Sequence, residues 1–255
     1  MYIAEQNMLS VALGLSKLGF IPYVSTFAAF LTRAYDQIRM SQYSNGNIKI
    51  VGSHCGVSIG PDGSSQMGLE DISMMRSVNS SIVLYPSDGV STYALAHIVS
   101  KNEGIAYIRT TREKLPLIYD SSKEFKIGGS HVLHESNNDK IVVITAGITL
   151  HETLKAYEML KKENISICII DAYSVKPLDE KTIISQAERV KNIIVVEDHY
   201  EYGGLGEAVF NCLKGKELRI KHLAVRKTPH SGTPQELLSY EGIDAKSIFD
   251  AVVKG

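Results

Sequence analysis

The stretch Ser53-His54-Cys55-Gly56-Val57-Ser58-Ile59-Gly60-Pro61-Asp62-Gly63 gathers glycines, a histidine and an aspartate directly after an apolar run ending at Val51. Glycines let backbone approach a ligand closely, while His and Asp offer donors and acceptors to hydroxyl groups. A long surface connection whose glycines only make turns would look the same. Arg109-Thr110-Thr111-Arg112 follows another apolar run. Its guanidinium forks suit a phosphate or carboxylate, and surface charge is the plainer reading. Glu197-Asp198-His199 follows a third run, and Gly203-Gly204-Leu205-Gly206 opens the next helix-like segment. These glycines imitate a dinucleotide fingerprint, but Val209 stands where its third glycine is required, so tight packing of helix on strand explains them better. Glu5 lies among apolar neighbours in Tyr2-Ile3-Ala4-Glu5-Gln6-Asn7-Met8. A buried carboxyl without a cation favours its protonated form, whereas an acid at a helix start simply serves the helix dipole. Phe27 and Phe30, three apart, read as core.

Ligands of open α/β sheets sit at the carboxyl ends of the strands, so the elements decide which of these residues can act together. From Lys140 onward, apolar β-branched runs at 141–145, 165–170 and 193–196 alternate with amphipathic helix-length stretches at 150–162, 182–190 and 205–213. Such alternation implies a parallel sheet buried on both faces. The first half is similar in kind, with strands expected at 48–51, 82–84 and 105–108 and helices at 6–18 and 89–100. The expected organisation is two doubly wound α/β domains with largely parallel sheets, over 1–117 and 139–255. A linker over 118–138 joins them, in a stretch rich in Lys, Ser, Asn and Asp. A doubly wound domain normally opens on a strand, yet a helix-like run begins almost at Met1, so the first domain is expected to be truncated at its N-terminus.

Composition narrows the function classes. The chain has 255 residues, enough for one or two domains, and 44% hydrophobic with 22% charged residues is the balance of a folded globular protein. Lys plus Arg (27) nearly cancels Asp plus Glu (28), where a nucleic-acid binder would carry a basic excess. No apolar run reaches the roughly 20 residues of a membrane span, and the N-terminus lacks a secretory layout, so the cytoplasm is the expected location. The three cysteines, Cys55, Cys168 and Cys212, form no C-x-x-C pair and read as reduced thiols.

Taken in order, several long segments resemble one family. Ile3-Ala4-Glu5-Gln6-Asn7-Met8, Ser25-Thr26-Phe27-Ala28-Ala29-Phe30 running through Arg33-Ala34-Tyr35-Asp36-Gln37-Ile38-Arg39, and Gly52-Ser53-His54-Cys55-Gly56-Val57-Ser58-Ile59-Gly60 are similar to the pyrimidine-binding domain of transketolase. Asp62-Gly63-Ser64-Ser65-Gln66-Met67, Tyr85-Pro86-Ser87-Asp88-Gly89, Asp171-Ala172-Tyr173-Ser174-Val175-Lys176-Pro177-Leu178-Asp179 and Glu197-Asp198-His199 carry the resemblance into a C-terminal domain. The Ser65-Gln66-Met67 version is similar to the animal-type branch.

The resemblance implies transfer of a two-carbon ketol unit between sugar phosphates with thiamine diphosphate, in the pentose phosphate pathway. It implies that Glu5 hydrogen-bonds the pyrimidine ring nitrogen and favours the imino tautomer that deprotonates the thiazolium carbon. Phe27 and Phe30 would contact the aminopyrimidine face, His54 and Asp62 would bind sugar hydroxyls, and Arg112 would bind the substrate phosphate. Gln66 stands where many relatives carry a proton-transferring histidine, and an amide can only hydrogen-bond. Arg109 is left as structural.

In this family a separate N-terminal domain holds the diphosphate and its Mg²⁺ or Ca²⁺, through a Gly-Asp-Gly segment and a downstream asparagine, and neither pattern can be placed in this sequence. The expected partner is therefore an N-terminal transketolase half or subunit, in a homodimer or heterotetramer. Two rivals remain. One is a portion of another thiamine-diphosphate enzyme, deoxyxylulose-phosphate synthase or the β subunit of a 2-oxoacid dehydrogenase, against which His54 and the segment 62–67 argue. The other is a non-catalytic truncated paralogue that binds a partner.

Overall fold

The computed structural model describes residues 1–254. The chain runs through α1 (Glu5–Lys17), β1 (Tyr23–Phe27), a 3-10 segment Ala28–Ala34, α2 (Tyr35–Tyr43), β2 (Lys49–Ser53), α3 (Asp71–Ser77), β3 (Ile82–Leu84), α4 (Gly89–Ser100) and β4 (Ala106–Arg109). It continues through β5 (His131–His134), β6 (Val142–Thr145), α5 (Ile148–Lys162), β7 (Cys168–Asp171), β8 (Ser174–Lys176), α6 (Glu180–Val190), β9 (Asn192–Tyr200), α7 (Leu205–Cys212), β10 (Arg219–Val225), α8 (Pro234–Glu241) and α9 (Ala245–Lys254).

Two five-stranded sheets result, in the orders β1-β2-β4-β3-β8 and β10-β9-β6-β7-β5. Both are parallel except at one edge, where β8 runs antiparallel to β3 and β5 antiparallel to β7. The central strands β6 and β7 are buried at every position, as continuous apolar runs between helical layers must be. Helix starts follow their sequence signals. Asp88 and Ser91 close a capping box on α4, and Thr233 with Glu236 does the same on α8, with Pro234 at its first turn. The two-domain α/β class expected from the sequence is the observed one.

Several local expectations are corrected. β1 and β10 were not expected, and neither were α8 and α9. β1 escapes a pattern search because it is short and starts with an exposed Tyr23 right after Pro22. β9 extends beyond 196 to Tyr200, so Glu197, Asp198 and His199 lie inside a strand and are buried instead of following it. The stretch 118–138 is not all linker, because β5 falls within it. Tyr119, Phe125 and His131 from this stretch form a cluster of rings with Tyr173, Phe125 lying 4.9 Å from His131 and 5.1 Å from Tyr173. Three aromatic side chains on one face outweigh the polar composition around them.

The two sheets are stitched together twice. β8 follows β7 of the second sheet in the chain yet completes the edge of the first, pairing Leu84 with Ser174. Where β7 ends, Asp171 is fully buried and accepts hydrogen bonds from Ser87 Oγ at 3.0 Å and Tyr119 Oη at 2.6 Å. Ser87 Oγ in turn accepts from the Gly147 backbone N–H at 2.9 Å. Burial pushes the Asp171 carboxyl up to about 7, the two hydrogen bonds offset part of that, and Asp88 adds to it. Because the folded value exceeds the unfolded one of about 3.9, the folded state binds the extra proton between those values, and stability falls as pH rises from about 4 to about 7. Asparagine at this position would accept from Ser87 and donate to Tyr119 without titrating. Urea unfolding of Asp171→Asn is therefore expected to show a gain over the native protein that grows by ~2–4 kcal/mol between pH 4 and pH 8. Parallel stability curves would mean that Asp171 is ionised throughout.

Candidate functional site

β1 ends at Phe27, and the chain turns at once into the 3-10 segment. Phe27 is the last, extended residue of β1 and Phe30 lies within the 3-10 segment, and their rings are parallel, with 5.3 Å between centroids and 7° between planes. Both are half-buried, so the reading of this pair as core is corrected to a partly open aromatic face. On the other side of Phe27 lies the His54 imidazole, parallel at 3.6 Å. His54 takes φ +55°, a left-handed conformation uncommon outside glycine, and its Nδ1 lies 3.0 Å from Ser53 Oγ. Burial pushes the imidazole below its ordinary value, Asp62 opposing and Arg112 reinforcing the shift, so the ring is neutral near pH 7.

Glu5 is the first residue of α1, at its positive end, and only 8% exposed. Among the described residues no group donates a hydrogen bond to its carboxylate; the paired cation is Arg33, Nη1 to Oε2 at 3.8 Å. Asp62 and Arg112 meet directly, Arg112 Nη1 donating to Asp62 Oδ1 at 3.0 Å and to the Ile59 carbonyl at 3.3 Å. Gln66 sits in a short 3-10 turn, half-buried, its amide 3.5 Å from Ser65 Oγ. Backbone bonds tie that turn to the histidine loop: Gly68 donates to the His54 carbonyl at 3.3 Å and Gly56 donates to the Gly68 carbonyl at 2.8 Å. The seven residues singled out in sequence thus fall on one connected stretch of structure, from Glu5 through the stacked rings to His54 and the Asp62–Arg112 pair.

The other polar runs are anchors. Arg109 is fully buried, donating from Nε to Asp71 Oδ2 at 2.8 Å and from Nη2 to the carbonyls of Gly68 and Asp198 at 2.9 and 2.8 Å. Its guanidinium also lies over the Tyr85 ring at 4.5 Å. It is sealed from any ligand. Burial pushes the Asp71 carboxyl up, but Arg109, His199 and the Tyr107 hydroxyl together pull it further down, to below the usual carboxylate range. Asp198 accepts from the Val57 backbone N–H at 2.8 Å, and a Cβ on Gly56 (φ +79°) would sit 1.8 Å from its carboxylate. Sequence reasoning missed this role, although the Glu-Asp-His run itself was visible. Glu197 accepts from the N–H groups of Leu205 and Gly206 at 2.6 and 2.8 Å, capping α7. A Cβ on Gly204 would come within 2.0 Å of the same carboxylate, so the glycines there serve packing.

The rings of Phe27 and Phe30 are half-buried and, among the described residues, nothing donates a hydrogen bond to the Glu5 carboxylate, so this stretch keeps apolar surface and acceptor capacity for a ligand. Among the described residues no group of three or more His, Cys, Asp or Glu side chains is placed to hold a metal ion, and no helix is long and apolar enough to cross a membrane. Cys55, Cys168 and Cys212 are unpaired, and burial raises all three thiols, Cys168 to about 12 and Cys212 to about 11.

Residues 1–117 match the family described as transketolase, pyrimidine binding domain, and residues 130–248 match transketolase, C-terminal domain. A solved split-gene transketolase, described as an inactive beta4 tetramer, is 34% identical with a TM-score of 0.92, covering 100% of this chain and 82% of its own. The chain belongs to the transketolase family. Transketolase from Homo sapiens is 50% identical over 254 residues, 98% of this chain but 41% of the human protein. Transketolase-like protein 2 of Mus musculus is 51% identical over 98% of this chain and 40% of its own length. The chain thus spans about two fifths of these curated relatives. The transketolase from Campylobacter jejuni, at 18% identity and a TM-score of 0.83, shares the fold. All seven residues singled out in sequence fall within the pyrimidine-binding match, and the transketolase C-terminal match supplies Asp198, the anchor of the loop that follows His54.

Since Arg109 ties that anchor to Asp71 and Gly68, Arg109→Met would leave Asp71 buried without its cation. Unfolding in urea is expected to show a loss of about 3–5 kcal/mol, with Asp71→Asn restoring part of it in the double variant. Additive losses would mean that the two side chains are not coupled.

Proposed function

We propose that this chain is the pyrimidine-binding and C-terminal portion of a transketolase of the pentose phosphate pathway. It would transfer a two-carbon ketol unit between sugar phosphates in the cytoplasm once joined to a diphosphate-binding half. The observation that carries this reading is the stack of His54, Phe27 and Phe30, set beside the open Glu5 carboxylate in a chain of this family. Thiamine diphosphate, when bound with Mg²⁺ or Ca²⁺, supplies the carbon nucleophile of ketol transfer. Glu5 would meet the pyrimidine ring nitrogen and share its proton, while the half-buried rings of Phe27 and Phe30 would contact the aminopyrimidine face. Neutral His54 and Asp62 would hydrogen-bond sugar hydroxyls, and Gln66, which has no titrating group, would hold a hydroxyl without moving a proton.

Arg112 would take the substrate phosphate. Its partner Asp62 is not an obstacle, because the Arg112 side chain is 45% exposed and surface pairs are worth only about 0–1 kcal/mol, whereas a phosphate offers bidentate, charge-assisted bonds. The metal and diphosphate ligands would come from the other half, in an assembly containing more than one copy of each. That the split-gene relative forms a tetramer of its own kind and is described as inactive supports this reading.

Calorimetric titration of thiamine diphosphate with Mg²⁺ into the chain alone, and into its mixture with a diphosphate-binding half, tests the proposal. Binding and ketol transfer are expected only in the mixture; turnover by the pure chain, or no binding in either case, would refute it. In the reconstituted enzyme Glu5→Gln is expected to abolish turnover with folding intact, and a near-normal kcat would remove Glu5 from the chemistry. Arg112→Ala should raise KM for phosphorylated sugars roughly 10- to 150-fold, the equivalent of a charge-assisted contact of about 1.5–3 kcal/mol. An unchanged KM would leave Arg112 as surface charge.

A further inference from the structure

Asp62 and Arg112 both belong to the first domain, yet the turn that carries Asp62 rests on the second. The 3-10 stretch Val57–Asp62 is broken at Gly60, which takes φ +78° and ψ −111°, and Gly63 follows it with φ +85°. Both glycines are buried, whereas Pro61 and Asp62 between them are exposed, so Asp62 stands at the tip of a turn with two glycine feet. Those feet lie against the segment 231–234. A Cβ on Gly60 would come within 3.0 Å of Pro234 Cδ and 3.1 Å of the Gly232 carbonyl oxygen, and one on Gly63 within 2.8 Å of Ser231 Oγ. A proline ring and a backbone carbonyl cannot swing aside as a long side chain can. The segment is itself fixed, because Thr233 and Glu236 cap α8 and the buried Leu237 and Leu238 share one apolar cluster with Val57 and Ile59.

From the other side, Arg112 Nη1 donates to the Ile59 carbonyl and to Asp62 Oδ1, at 3.3 and 3.0 Å. Among the described residues Arg112 Nε and Nη2 make no hydrogen bond. Those two nitrogens form the fork that can take two oxygens of one phosphate. Asp62 therefore holds one corner of the guanidinium and leaves that edge free. On the reading of Asp62 and Arg112 as substrate ligands, we propose that the segment 231–234 of the C-terminal domain is a positioning element of the substrate site. It fixes the turn that places Asp62, and Asp62 aims the free edge of Arg112 at the substrate phosphate. The C-terminal domain thereby takes part in choosing phosphorylated over unphosphorylated sugars, acting through Arg112.

The test is the double variant Ser231→Ala, Pro234→Ala, which takes the hydroxyl and the ring away from the two glycines and keeps the Thr233–Glu236 cap of α8. In the reconstituted enzyme KM for phosphorylated sugars is expected to rise roughly 3- to 10-fold with kcat held within about twofold, while KM for glycolaldehyde, which has no phosphate, stays native. In an Arg112→Ala background the same two changes should add nothing, because the segment acts through that side chain. Native KM values in the double variant, an equal rise for glycolaldehyde, or an additive effect on Arg112→Ala would each overturn the proposal and leave the site standing. An unchanged KM in Arg112→Ala would instead remove the substrate reading on which the proposal rests. The positioning is read separately in the full chain by nitrogen-15 NMR of the Arg112 Nε–H group, identified by its loss in Arg112→Ala. Its resonance is expected to move in the double variant; an unmoved resonance would overturn the link from the segment to Arg112.

Discussion

The buried pair of Arg109 and Asp71 is the interaction on which the rest depends. Arg109 closes β4, Asp71 opens α3, and neither is exposed by more than 1%. Two charges out of water are costly unless every remaining donor finds an acceptor. Here Nε and Nη2 of the guanidinium find acceptors on three separate pieces of chain, the Asp71 carboxylate, the Gly68 carbonyl and the Asp198 carbonyl of β9, while Arg109 Nη1 and Asp71 Oδ1 stay buried without a partner. One side chain therefore sets the distance between the two domains and the height of the turn that supports the histidine loop.

That arrangement explains a site with a rigid floor and an open face. Below, Gly56 fits against Asp198 with no room for a side chain, and Asp198 holds the Val57 amide. Above, the rings of Phe27 and Phe30 remain half-buried, and the Glu5 carboxylate has a cation nearby without a hydrogen bond. Strain is local, at His54, whose left-handed backbone is held by the stack on Phe27 and by the bonds of neighbouring glycines.

The C-terminal domain acquires a physical role from the same contacts. It contributes Asp198 beneath the loop, Asp171 against Ser87 and Tyr119, and the edge strand β8 of the other domain's sheet. Buried hydrogen bonds across an interface lose their value if either side moves, so the pyrimidine-binding domain is braced over both its loop and its edge.

The sequence by itself determined the alternation of apolar strands and amphipathic helices, and with it the α/β class, because those periodicities are local properties of the chain. Glu5, Phe27, Phe30, His54, Asp62, Gln66 and Arg112 were singled out through the order and length of the segments that hold them. From residue type alone, Phe27 and Phe30 read as core and Arg109 as a surface charge or a ligand for anions. Tertiary structure decided otherwise. A 3-10 turn, indistinguishable in sequence from an α-helical one, follows directly on Phe27 and sets Arg33 over the Phe30 ring, and parallel pairing of β4 with β2 and β3 buries Arg109. β9 runs past 196 through Glu197-Asp198-His199 because the Glu197 and Asp198 carboxylates find amide and imidazole partners on α7, β10 and the loop of the other domain. Those partners are as many as 141 residues away, where no local pattern reaches.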